Sequence, residues 1–359
     1  MASKVAIPAP FVTVPTDISY GKPGQLSEEQ IKHYFEEGYV IVRDYLTPDE
    51  LEPCKRGIAE IVDGLAKKLF RHGKISELHE EAGVFHRLTL LEQDFPGAFA
   101  LIFKAGELHQ SFRDLWENEK LLNMVEQLIG PEVSGHPVWN LRPKVPQNSA
   151  TTVPWHQDSA YFSEDSYGHL IPTTWIPFLD TDSRNGGMQV LKRGHQKGIV
   201  VDHTCCWEDT WYLETSEQEM KANIDAKFPD DVITCEVPYG GFLLFNNIIP
   251  HRSLPNNSND VRWSIDLRWQ SPKKPWGFYN IQEGAAMRDK NGKKIAVDWK
   301  KFMSVNRKEV WQQRYNKQMV VSSEDDQFST IVTGPWIGRW KISHENRHTN
   351  AFENFTKSS

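Results

Sequence analysis

Four cysteines in 359 residues are too few for a scaffold built on disulfides. Cys54, Cys205, Cys206 and Cys235 also lack the spacing of a zinc site, so buried reduced thiols are expected. No apolar run approaches the roughly 18 residues that a membrane helix needs. The opening Met1-Ala2-Ser3-Lys4-Val5-Ala6-Ile7-Pro8 lacks the apolar core of a secretory signal. The end, Phe355-Thr356-Lys357-Ser358-Ser359, is not the Ser-Lys-Leu peroxisomal address. A cytoplasmic protein without membrane partners is therefore expected. Basic excess is missing too. Against 41 Lys and Arg stand 48 Asp and Glu, a net charge of −7, and the cations are interleaved with acids, which argues against a nucleic-acid partner. There is no internal repeat and no low-complexity tract, and nothing in the sequence sets an oligomeric state.

What is present suits a soluble, loop-rich β protein: 39% hydrophobic and 25% charged residues, 13 Trp, 23 Gly and 21 Pro. Residues 1–24 read as an extended arm, and residues 25–130 as helical support. Ser27 and Gln30 form a capping-box pattern that opens a helix, and Gly38 ends it. Tyr39–Val42 reads as a strand. Thr47-Pro48 opens a second helix, carrying Leu51, Cys54, Ile58, Ile61 and Leu65 at helical spacing. Residues 73–95 have no clear pattern. After Phe95-Pro96-Gly97 a helical stretch runs to Leu108, and another spans Ser111–Ile129.

The composition then shifts to strands: Val133–Leu141, Val153–Tyr161, Thr173–Leu179, Met188–Leu191, Val232–Val237, Gly241–Asn246 and Val261–Trp269. Residues 199–235 break this rhythm and read as an insertion, a candidate lid. Residues 271–359 form a C-terminal extension with a helix expected around Val310–Val320. Helices first and short strands after predict an α+β chain with a mainly β core, a sandwich or barrel within residues 131–270.

The chemistry centres on Trp155-His156-Gln157-Asp158. On a strand, side chains two apart point the same way, so His156 and Asp158 could share a metal. His251, 95 residues on, would complete a two-histidine, one-carboxylate set with open positions, the ligand set of non-haem Fe(II) oxygenases. The pair alone is weak, since 13 His and 48 acids make chance spacing common. A second signal is the strand Val261–Trp269. Alternation puts Arg262, Ser264, Asp266 and Arg268 on one face and apolar residues on the other. That polar face is either solvated or lines a cavity where a guanidinium could clamp a carboxylate.

Taken together, these pieces resemble the phytanoyl-CoA dioxygenase family of Fe(II)/2-oxoglutarate oxygenases. The resemblance rests on Trp155-His156-Gln157-Asp158-Ser159-Ala160-Tyr161-Phe162, on Trp175, and on Arg184-Asn185-Gly186-Gly187-Met188-Gln189-Val190-Leu191 before Gly194-His195. It extends to His251-Arg252-Ser253, Arg262 and the earlier Asn140-Leu141-Arg142-Pro143. It covers roughly residues 25–270. The resemblance implies a double-stranded β-helix (jelly roll), with iron on His156, Asp158 and His251. It implies Arg262 as partner of the distal carboxylate of 2-oxoglutarate, with Arg268 as a rival on the same face, and Ser253 as a hydroxyl donor. Asn140, Gln157 and Trp175 carry over as neighbours of the cosubstrate. Some relatives place a lysine before the segment matching Gln93-Asp94-Phe95; here Leu90-Leu91-Glu92 stands there, with Arg87 earlier.

The implied reaction consumes O2, converts 2-oxoglutarate to succinate and CO2, and hydroxylates an unactivated C–H of a small molecule. Desaturation or ring formation is a variant of it. Asp158 argues against halogenation, which in this resemblance needs the carboxylate position open. The other readings are a jelly roll that binds a metal or carboxylate without turnover, and a cupin-like hydrolase or isomerase. His136 and His195 read as structural. Tyr161, Phe162, Trp207, Trp211 and Trp276 read as core or as cavity lining.

Overall fold

The side chain of Ser27 accepts from the Gln30 amide, and Gln30 returns a bond to the Ser27 amide, so the first long helix starts there and runs Glu28–Glu37. Gly38 closes it in the left-handed region, and the chain turns straight into the strand Tyr39–Val42. This computed structural model describes residues 9–278, 283–305 and 327–357. The helix expected around Val310–Val320 lies outside the described residues.

A helical layer follows. Pro48–Arg71 carries its apolar stripe from Leu51 to Leu69 into the core. The single helix expected over Ser111–Ile129 is in fact two, Gln110–Trp116 and Glu119–Ile129. The Asn118 carboxamide accepts from the amides of Lys120 and Leu121, so it caps a new helix where periodicity alone suggested continuity. Residues 73–95, which showed no pattern, end in the helix Arg87–Asp94. The N-terminal segment is more than an arm: Phe11 is fully buried in the main core.

The strands form a double-stranded β-helix. The large sheet has seven strands. Six run in the order Tyr39–Val42, Phe242–Phe245, Thr173–Pro177, Arg262–Gln270, Val133–Gly135, Ala285–Arg288, and Asn140–Lys144 also pairs with Arg262–Gln270. Facing it is a three-stranded sheet of His251–Ser253, Met188–Leu191 and Val232–Cys235. Trp175, Leu243 and Phe245 from the large sheet meet Met188, Val190 and Cys235 from the small one. The outer face of the large sheet, with Trp263, Ile265, Leu267 and Trp269, packs into the same core as the helices. The strand Arg262–Gln270 is therefore buried on both faces along all nine residues. Its polar side faces the interior of the fold, not solvent.

Two expected strands are corrected. Val133–Leu141 is broken at His136-Pro137 into Val133–Gly135 and Asn140–Lys144. Val153–Tyr161 is not a strand. His156 makes one antiparallel bridge to His251, and a 3-10 turn, Asp158–Tyr161, follows at once. The insertion is also reinterpreted. Thr204–Cys205 pairs with Leu213–Glu214 on one side and Lys341–Ile342 on the other in a third small sheet, and Trp211, Tyr212 and Leu213 belong to the core. Cys54 and Cys235 are free and buried as expected, and the sulfurs of the adjacent Cys205 and Cys206, both buried, touch each other. Among the described residues no helix is long and apolar enough to cross a membrane.

Gly38 is a point where sequence and packing meet. Its φ is 90°, and a Cβ there would lie 2.5 Å from Nδ1 of His195, whose Nε2 bonds the Phe35 carbonyl at 3.0 Å. We expect Gly38→Ala to destabilise the fold by more than about 1 kcal/mol. In urea the unfolding midpoint should fall with an unchanged slope.

Candidate metal and carboxylate site

The bridge between His156 and His251 sets the site. Each backbone amide donates to the other's carbonyl, at 3.0 and 2.9 Å, so the two imidazoles leave the bridged segments side by side. Their ring centroids are 4.2 Å apart. His156 Nδ1 donates to the Pro154 carbonyl at 2.8 Å, and His251 Nδ1 to the Ile249 carbonyl at 3.0 Å. A carbonyl can only accept, so both rings are held with Nε2 as the bare lone pair. The turn that begins at Asp158 swings its carboxylate in front of them. Asp158 Oδ1 stands 3.8 Å from Nε2 of His156 and 3.7 Å from Nε2 of His251. The three ligand atoms lie within 4.8 Å of one another, and all three residues are buried. Strand alternation does not account for the convergence: a bridge and a turn, not a strand, bring His156 and Asp158 together.

The charges are arranged for a cation. Burial pushes both histidines below the ordinary imidazole range, so they stay neutral. Burial alone would raise the Asp158 pKa, but Arg268 and the two histidines outweigh it and hold the carboxyl well below the usual range. Arg268 donates to Asp158 Oδ2 through Nε at 3.0 Å and Nη2 at 2.7 Å, and Thr173 Oγ1 adds a longer contact at 3.4 Å. That occupies Oδ2 and leaves Oδ1 facing the imidazoles. Arg268, the rival for a ligand carboxylate, is thereby committed to an acid of the protein.

Arg262 is placed differently. It is buried, with Nη1 donating to Ser264 Oγ at 2.6 Å and Nη2 to the Gly186 carbonyl at 3.0 Å, while its Nε has no partner. Its guanidinium stands 5.0 Å from the centre of the Trp175 ring. Burial pulls its pKa down to about 9. The acid on the same strand face, Asp266, is paired with Arg142 and also faces Arg268. Ser253 Oγ accepts from the Val153 amide at 3.0 Å and keeps its own proton to donate. Arg262, Ser253 and Trp175 line a small recess of about 40 Å³ with His156 and His251.

A larger cavity of about 1010 Å³ adjoins it, sharing His156, Arg142, Val153, Trp211 and Tyr212 as walls. Asn140 lines only this larger space, so it stands on its side of the cluster. Tyr161, Phe162 and Trp211 line it as well, whereas Trp207 and Trp276 do not. Gln157 is a correction. Its side chain donates to the Ile199 and Ile248 carbonyls and accepts from the Val201 amide. It points away from the cluster, because its neighbours on either side point in. His136 bonds the Trp276 carbonyl, and Arg87 pairs with Asp63 in the helical layer, so neither reaches the site.

The sequence pattern described as phytanoyl-CoA dioxygenase (PhyH) matches residues 34–264. This chain belongs to the phytanoyl-CoA dioxygenase family. The 1-deoxypentalenic acid 11-beta-hydroxylase of Streptomyces arenae is 27% identical over 179 residues, 47% of this chain. This family member spans 60% of that enzyme's length. A phytanoyl-CoA dioxygenase domain-containing protein 1 homolog of Dictyostelium discoideum is 21% identical over 276 residues, 68% of this chain and 91% of that protein. Among solved structures, the apo non-heme monooxygenase ThoJ shares the fold at a TM-score of 0.51 and 16% identity, over 79% of this chain and 98% of that one. The PhyH-matched span holds His156, Asp158, His251 and Arg262, while Arg268 and the cavity wall Ile331–Trp336 lie beyond it.

Sequence reasoning missed Lys144 and the role of Arg142. Asn140, Arg142 and Lys144 alternate on one strand, and register sets them opposite Asp266, Ser264 and Arg262. Opposed residues share a face, so the period-2 polar pattern was a usable signal.

Because Arg268 holds Asp158 in place, Arg268→Ala should weaken divalent metal binding by about 10- to 100-fold, the usual cost of losing an outer-shell partner. Anaerobic calorimetry with Fe(II) measures this directly, and circular dichroism should show the fold retained.

Proposed function

We propose that this chain is an Fe(II)- and 2-oxoglutarate-dependent dioxygenase that hydroxylates an unactivated C–H of a bulky, largely apolar small molecule. One observation carries the reading. Two neutral histidines and an ionised aspartate converge beside a buried arginine that lacks a carboxylate partner. The donor set fits a divalent iron: two bare Nε2 lone pairs and one carboxylate oxygen, with the remaining positions open. The recess fits the distal carboxylate of a 2-oxo acid: a buried guanidinium with an unpartnered Nε, a hydroxyl, and the unpartnered Nε1 of Trp175.

His156, Asp158 and His251 would hold iron, and Arg268 would keep Asp158 ionised and oriented. Arg262 and Ser253 would hold the keto acid by its far end, which leaves its keto-carboxylate end toward the metal. Iron and 2-oxoglutarate, with O2, supply the oxidising equivalent for C–H cleavage, and 2-oxoglutarate leaves as succinate and CO2. The walls of the large cavity exclude water and position the substrate. Phe103, Trp139, Leu141, Tyr161, Trp211 and Trp336 line it, and its volume of about 1010 Å³ sits at the top of the range for small-molecule sites. That lining favours a multi-ring or long-chain skeleton over a small polar metabolite. The name of the Streptomyces relative, a hydroxylase of 1-deoxypentalenic acid, agrees with such a substrate.

Anaerobic addition of Fe(II) and then 2-oxoglutarate should produce the weak visible charge-transfer band of a chelated keto acid. His156→Ala, Asp158→Ala and His251→Ala should each abolish it in a folded protein. Arg262→Ala should raise the 2-oxoglutarate requirement by at least about 10-fold, the loss expected from one charge-assisted contact, while iron binding stays near normal. Iron bound without any band would sink the oxygenase reading and favour a non-catalytic jelly roll.

A further inference from the structure

Arg262 is not the only cation in the recess. Lys144 lies directly opposite it across the ladder between Asn140–Lys144 and Arg262–Gln270. Its side chain is 2% exposed and lines the same small recess with Ser253, Trp175 and Arg262. Its one hydrogen bond is a long one, 3.5 Å from Nζ to Thr152 Oγ1. Among the described residues no ion pair within 4.0 Å joins Lys144 or Arg262 to a carboxylate, and Asp266 is taken by Arg142. Two buried basic side chains face each other; Asp266, which lines the same recess, is paired with Arg142, and burial together with Arg262 and Arg142 pushes the Lys144 amine well below its usual range until an anion arrives. Burying a single unpaired charge costs several kcal/mol, and a second like charge beside it adds repulsion. Such a pair persists where a ligand brings the missing negative charge.

The backbone is shaped around both residues. The Gly186 carbonyl accepts from Arg262 Nη2 at 3.0 Å, and a Cβ on Gly186 would lie 2.2 Å from Cδ of Lys144. The Asn185-Gly186-Gly187 turn, legible in the sequence only as a turn, thus leaves room for the lysine stem while bonding the arginine. A recess of about 40 Å³ has room for one end of a small dianion, not for a whole substrate.

We propose that Lys144 and Arg262 form a two-cation clamp for the distal carboxylate of the 2-oxo acid, and that Lys144 sets the preference for dicarboxylic over monocarboxylic keto acids. The clamp rests on the oxygenase reading above but assigns a residue that reading does not use. Arg262 supplies a planar fork, and Lys144 a point charge from the facing strand.

The test uses the full chain, loaded with Fe(II) under argon. It is titrated with 2-oxoglutarate and with 2-oxopentanoate, in which a methyl replaces the distal carboxylate. The charge-transfer band reports binding, and melting temperature is followed in parallel. Lys144→Met should weaken 2-oxoglutarate by about tenfold or more and leave 2-oxopentanoate within about twofold. It should also shrink the rise in melting temperature that 2-oxoglutarate gives. Lys144→Arg should keep most of the selectivity. If the Met variant does not fold, Lys144→Gln must show the same split. Equal weakening of both keto acids, or no weakening of 2-oxoglutarate, would overturn the clamp while leaving the oxygenase reading standing. A wild-type protein that binds iron but neither keto acid would overturn both.

Discussion

The site depends on a strand buried on both faces. Arg262–Gln270 sends Trp263, Ile265, Leu267 and Trp269 into the helical layer and Arg262, Ser264, Asp266 and Arg268 into the interior. Burying three charges on one strand face is costly unless each has a defined counterpart. Arg268 has Asp158, and Asp266 has Arg142. Arg262 stands without one. The site's asymmetry follows from that: one arginine is taken up by Asp158 of the His156–Asp158–His251 cluster, and the other has no carboxylate partner among the described residues.

The helices matter because they make that double burial possible. The outer face of the large sheet has no solvent to meet, since the layer around Pro48–Arg71 and Glu119–Ile129 covers it. With tryptophans locked on one side, the strand cannot slip by a residue without turning its charges into the apolar layer. The register that sets Lys144 against Arg262 and Asn140 against Asp266 is fixed by the same packing. Stability and site geometry therefore share one cause. The family-matched span holds the His156–Asp158–His251 cluster, whereas part of the large cavity's wall comes from residues after it, among them Val332 and Trp336. Variation in that outer wall can change the substrate without touching the metal ligands.

Much was readable before the structure. His156, Asp158 and His251 could be chosen because metal-ligand types at a short spacing, followed by a late histidine, form a recognisable set. Arg262 was readable as one of four polar residues at period 2. The caps at Ser27 and Thr47, the stop at Gly38 and the strand Met188–Leu191 followed from local chemistry. Asn118 was missed because an asparagine in a periodic apolar run reads as an exposed helical position until its side chain is seen bonding two amides. Gln157 was misread because adjacency to His156 and Asp158 suggested a shared role, while backbone direction turns its side chain toward the Val201 amide and the carbonyls of Ile199 and Ile248.

By itself the sequence determined the ingredients: the ligand types, the alternation on Val261–Trp269, the helical stripes and the turn at Asn185-Gly186-Gly187. These are properties of neighbours in the chain, set by side-chain chemistry and by the periods of strand and helix. Only the tertiary structure decided which arginine holds Asp158 and which stays free, and that Lys144 faces Arg262. It also decided that the polar face is interior and that Trp211 and Tyr212 of the 199–235 segment line the large cavity. Those outcomes rest on pairings between segments 110 to 137 residues apart in sequence, and no local period encodes which distant segment a given face will meet.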